Sequence, residues 1–76
     1  MTYESAQRWL VAIGGSHIVG RETEKFGSVI VTVKPSKGGE ASRHALFNEH
    51  LTGYEREQAI RHAFTTACSE LKRALG

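Results

Sequence analysis

Apolar positions recur every three or four residues near both ends of the chain and every second residue in its middle, which predicts helices flanking strands. The longest helical stretch runs from Thr52 to Leu75. Ile60, Phe64, Ala67, Cys68, Leu71, Ala74 and Leu75 fall on one face, and Arg56, Arg61, Thr65, Ser69, Lys72 and Arg73 on the other. Thr52 with Glu55 three residues later is a capping-box pattern, in which each residue satisfies a backbone N–H near the other. Glu55 and Glu57 in the first turn, with Lys72 and Arg73 in the last, suit the two ends of the helix dipole. Such a helix spans roughly 34 Å at 1.5 Å per residue, so the rest of the chain is expected to pack against it.

Thr2 to Ile13 predicts a first helix, capped by Thr2 and stopped by Gly14-Gly15, with Ala6, Trp9, Leu10 and Ile13 in one stripe. Trp9 is accordingly expected in the core. Ser16 to Glu22 reads as a strand in which Gly20 marks a bulge or a close backbone approach, and Glu22 to Lys25 as a turn. Phe26 to Lys34 alternates: Val29, Val31 and Val33 share the face expected to meet the helices, and Ile30 stands alone among polar residues on the other. Pro35 ends that strand, and Ser36 to Glu40 has the composition of a loop. Ser42 to Asn48 fits a strand or a short helix. A strand is preferred, because Phe26 to Lys34 needs a second partner and a lone hairpin is only marginally stable. The expectation is an α+β fold: one small domain over residues 1–76, in the order α-β-β-β-α, with a three-stranded antiparallel sheet packed on the long C-terminal helix.

Composition narrows the class. The chain has 76 residues, 39% hydrophobic and 24% charged, as in a folded domain rather than a disordered tail. A domain this small hides only about 60% of its unfolded surface, so self-association would add stability and a homodimer is one possibility. No apolar run approaches the roughly 18 residues of a membrane span, and the start lacks a basic region followed by an apolar one. A cytoplasmic location without membrane contact is expected. The lone Cys68 allows no internal disulfide. Ten Lys and Arg stand against eight acidic residues, all of them Glu. Catalytic triads and carboxylate pairs built on Asp are thereby excluded.

Candidate chemistry is sparse. Gly14 to Gly20 is glycine-rich but follows a helix and precedes a strand, whereas phosphate loops follow a strand and open a helix onto the anion. His17, His44, His50, His62 and Cys68 lack metal-ligand spacing, since His62 and Cys68 are six residues apart on a helix. A buried Cys68 would also be a poor nucleophile. No catalytic, metal or cofactor residues are assigned, and the chain is not expected to be an enzyme.

The element order and length resemble those of double-stranded-RNA-binding domains, and Gln58 to Phe64 is similar to the Ala-rich start of that family's last helix. The resemblance implies contact with nucleic acid. Where that family places a lysine cluster to grip phosphates, however, this chain has Glu55-Arg56-Glu57. Glu22, Glu24 and Glu40 likewise interrupt Arg21, Lys25, Lys34, Lys37 and Arg43. Mixed charge without a catalytic constellation points first to a non-catalytic protein-interaction module, an inhibitor or adapter of a larger protein complex. A phage or mobile-element anti-defence protein, such as an anti-CRISPR, is one specific form suggested by size and lack of catalytic chemistry. Nucleic-acid binding is the second reading. Ile30 and Tyr54 are the candidate interface anchors, with Arg56, Glu57, Arg61 and Arg73 as charged contacts.

Overall fold

A computed structural model describes residues 1–20, 28–37, 39, 41–46 and 53–75, with the backbone alone for 28 and 41–46. The fold is α+β: an N-terminal helix, an antiparallel pair of strands and a long C-terminal helix. The first helix, α1 (Tyr3–Ala12), begins at a reciprocal cap. Ser5 N donates to Thr2 Oγ1 at 3.1 Å, and Thr2 N donates to Ser5 Oγ at 2.8 Å. It ends in a Schellman motif: Gly14 N donates to the Val11 carbonyl at 3.0 Å, and Gly15 N to the Leu10 carbonyl at 2.9 Å. Gly14 has φ +70, the left-handed conformation this motif requires and glycine adopts without strain. Gly15 serves a different need. A Cβ there would lie 2.5 Å from Leu10 Cδ1 and 2.7 Å from the Lys34 carbonyl oxygen, so only glycine lets helix and sheet approach so closely.

Strand β1 (Ser16–Gly20) pairs antiparallel with β2 (Ser28–Lys34) in unbroken register from Ser16 opposite Lys34 to Gly20 opposite Ile30. Gly20 therefore causes no bulge within the described pairing. Along the far side of β2 the backbone of β3 (Ala41–Leu46) runs antiparallel, with Val29 opposite Ala45 and Val33 opposite Ala41. The expected extensions of the strands over 21–22, 26–27 and 47–48, the turn at 22–25 and the Thr52 cap lie outside the described residues.

Helix α2 (Gly53–Leu75) lies along β2 and β3 and against α1. The valine face is where alternation put it: Val29, Val31 and Val33 are fully buried. Facing them are Ala63, Phe64, Ala67, Cys68 and Leu71, joined by Ala6 and Leu10 of α1. Three sequence expectations are corrected here. Leu75 is 53% exposed and Ala74 is exposed too, so the buried stripe of the helix ends at Leu71. Trp9 is half-buried at the margin of the core, since Ala6 and Leu10 take the centre of the α1 stripe. Ile30 is half-buried rather than alone: Ile18 of β1 pairs with Thr32, the next residue on the same face of β2, which makes it a diagonal neighbour of Ile30.

Two substitution series test this packing. Phe64→Ala should cost about 3 to 5 kcal/mol and Arg61→Ala a few tenths, a difference that equal shifts in urea melts would refute. Gly15→Ala should cost about 1 to 3 kcal/mol through overpacking against Leu10 and the Lys34 carbonyl. At Gly53 an added Cβ meets nothing within 4 Å, so Gly53→Ala should be neutral or stabilising by up to about 1 kcal/mol. Thermal melts of the two variants side by side check the sign at each site.

Candidate functional site

Phe64 does more than fill the core. Its ring meets Tyr3 edge-on at 5.6 Å between centroids and His17 edge-on at 5.1 Å, so one residue of α2 gathers the start of α1 and the edge strand β1. His17 reaches it because β1 alternates. His17 and Val19 pair with Val33 and Val31 and share their face, and His17 at the strand's outer end stays exposed. Tyr3 reaches it because it continues the α1 stripe of Ala6 and Leu10 one turn toward the N-terminus.

These rings line a cleft of about 130 Å³ whose walls are Tyr3, His17, Val19, Val31, Glu57, Ile60, Arg61 and Phe64. Val19, Val31, Ile60 and Phe64 supply its apolar lining, and Tyr3, His17, Glu57 and Arg61 its polar and charged lining. The Arg61 guanidinium lies 4.9 Å from the centre of the Tyr3 ring, a cation–π contact, and Arg61 Nε donates to Glu57 Oε1 at 3.4 Å. Tyr3 is held from its other end, where Gln7 Nε2 donates to the phenol oxygen at 3.1 Å. A shallower depression lined by Tyr3, Glu4, Gln58, Arg61, His62 and Thr65 shares Tyr3 and Arg61 with the cleft.

The six candidate contact residues do not form one surface. Tyr54, Glu57 and Arg61 follow at steps of three and four, so they form one stripe roughly 10 Å long on α2. Tyr54 is 73% exposed at its outer end. Arg56, Arg61 and Arg73 instead point in directions separated by roughly 100° to 140°, and Arg73 lies about 18 Å beyond Arg61 along the axis. Arg56 is half-buried. Ile30 is on the opposite face of the sheet from the helices. Tyr3 and His17 complete the cleft without having been selected from sequence. The period-3.6 stripe of α1 and the period-2 face of β1 were the signals that pointed to them.

The remaining chemistry is bland. Gly14 and Gly15 close the Schellman motif, which accounts for the glycine-rich stretch. Among the described residues no three of His, Cys, Asp and Glu gather to hold a metal ion, and no helix is long and apolar enough to cross a membrane. Cys68 is fully buried, and burial pushes its thiol from the ordinary 9.0 up to about 11. Comparisons of the chain with protein-family models, with curated proteins and with solved structures found no match.

The raised thiol pKa sets a pH dependence. The unfolded chain releases the Cys68 proton near 9.0 while the folded chain keeps it to about 11, so the folded state binds more protons between these values and stability falls as pH rises through them. Below pH 9 the contribution is fully present. Urea melts across pH should therefore show the stability advantage of wild type over Cys68→Ala shrinking above pH 9. A constant difference would place the thiol in contact with solvent, as would rapid labelling by a thiol reagent in the native state.

Proposed function

We propose that this chain is a small non-catalytic protein-interaction module, an inhibitor or adapter that docks on a larger protein through the Tyr3–Phe64 cleft and the Tyr54–Glu57–Arg61 stripe beside it. The three-stranded sheet, with β3 as its third strand, acts as the scaffold that holds α1 and α2 at the cleft's two sides. The observation that carries the proposal is the cleft itself: a recess of about 130 Å³ with mixed polar and apolar lining, walled by aromatic rings and rimmed by an arginine. Tyrosine and arginine are the residues most enriched where protein interfaces concentrate their binding energy, and such anchors sit beside pockets that exclude water. The charge on the rim also favours protein over a phosphate backbone. Glu57 partners Arg61, so a phosphate brought to Arg61 would meet a carboxylate at the same place. A protein partner can answer both charges and draw register from them.

The test is a capture experiment from the source cell, with and without nuclease, comparing wild type with Tyr54→Ala and Arg61→Glu. Both positions are exposed, so the fold should survive either change. A protein retained after nuclease and lost with both variants is the expected result. Loss of all capture on nuclease treatment would instead favour the nucleic-acid reading. A salt series of fluorescence anisotropy on labelled duplex and single strands gives the complementary measurement. Affinity should be absent or in the non-specific range of about 10⁻⁴ to 10⁻⁶ M at physiological salt and vanish as salt is added. Sequence-selective binding tighter than about 10⁻⁷ M would make nucleic acid the primary partner.

A further inference from the structure

The polar groups that line the Tyr3–Phe64 cleft discriminate among the side chains a partner could insert. Arginine carries five N–H donors in a fixed fork. Arg61 commits its Nε–H to Glu57 Oε1 at 3.4 Å and lays its guanidinium over the Tyr3 ring. Among the described residues its terminal nitrogens and the second Glu57 oxygen meet no hydrogen-bonding group. The Tyr3 oxygen accepts from Gln7 Nε2 at 3.1 Å, which leaves its own O–H hydrogen to donate elsewhere. The cleft therefore sets donors from Arg61 and Tyr3 beside an acceptor from Glu57, and the charges of the ion pair sum to zero.

We infer, resting on the docking role proposed above, that the group this cleft receives is a neutral carboxamide, the side chain of a glutamine on the partner protein. Complementarity selects it. A carboxylate drawn to Arg61 meets Glu57, and an ammonium drawn to Glu57 meets Arg61. A purely apolar side chain seated there takes water from these groups and returns no hydrogen bond. A carboxamide answers both signs at once: its oxygen accepts from Arg61 or Tyr3, and its NH₂ donates to the second Glu57 oxygen. The two methylene groups that carry this amide in glutamine can lie against the apolar lining of Ile60 and Phe64. His17 has both a donor and an acceptor on its uncharged ring, so it excludes none of these occupants.

The probes are the N-acetyl, N-methylamide derivatives of glutamine, glutamate, lysine and leucine, which share their backbone amides and differ in the side chain offered. Each is titrated into the whole chain at neutral pH while the ring resonances of Tyr3 and Phe64 are followed by NMR. The glutamine derivative should shift them saturably and bind about tenfold more tightly than the other three, which is what one hydrogen bond to a charged group supplies. Glu57→Gln removes the repelling carboxylate at an exposed position and should keep the thermal melt of wild type. The glutamate derivative should then bind this variant about tenfold more tightly than it binds wild type. Tightest binding by leucine, glutamate or lysine in wild type would overturn the carboxamide while leaving the docking role to the capture experiment. So would an unchanged glutamate affinity in Glu57→Gln. No saturable shift by the glutamine derivative overturns the inference whatever the capture experiment returns.

Discussion

Everything in this fold depends on one seam, the contact between the three buried valines of β2 and the stripe of α2 from Ala63 to Leu71. Neither side is stable alone. A two-stranded ribbon is marginal in water, and a helix with a polar outer face gains its stability from packing rather than propensity. Small residues let the two approach. Ala63, Ala67 and Cys68 occupy the helix face with little volume, so the β-branched valines can seat against it without overpacking. Gly15 has the same role where α1 turns into the sheet, since any larger residue would push Leu10 away from the Lys34 carbonyl.

Phe64 extends the seam into the candidate site. It is the one large side chain in the buried stretch of α2 that also touches both Tyr3 and His17, so core packing fixes the cleft walls before any ligand arrives. Charge is kept to the rim. No charged or polar side chain is buried among the described residues, and the exposed Arg61–Glu57 pair is worth only about 0 to 1 kcal/mol. Its value is positional: it holds the guanidinium over the Tyr3 ring, where the cation–π contact and the ion pair constrain one side chain from two directions.

Periodicity made most of the backbone legible. The valine face of β2, the Thr2 cap, the Gly14-Gly15 stop and the buried run from Phe64 to Leu71 each follow from local spacing, because each is decided by residues within one element. What spacing could not show was where one element ends relative to another. Ala74 and Leu75 continue the stripe of α2 as faithfully as Leu71 does, yet they are exposed, because periodicity places a residue on a face without saying whether another element packs over that part of it. The site was legible only in part for the same reason. Tyr54, Glu57 and Arg61 share one helix and one face, so their grouping was local. Joining Tyr3 and His17 to them required three elements to converge on Phe64, which is a property of the packing. Ile30 and Arg73 were separated by that same packing, one behind the sheet and the other far along the helix.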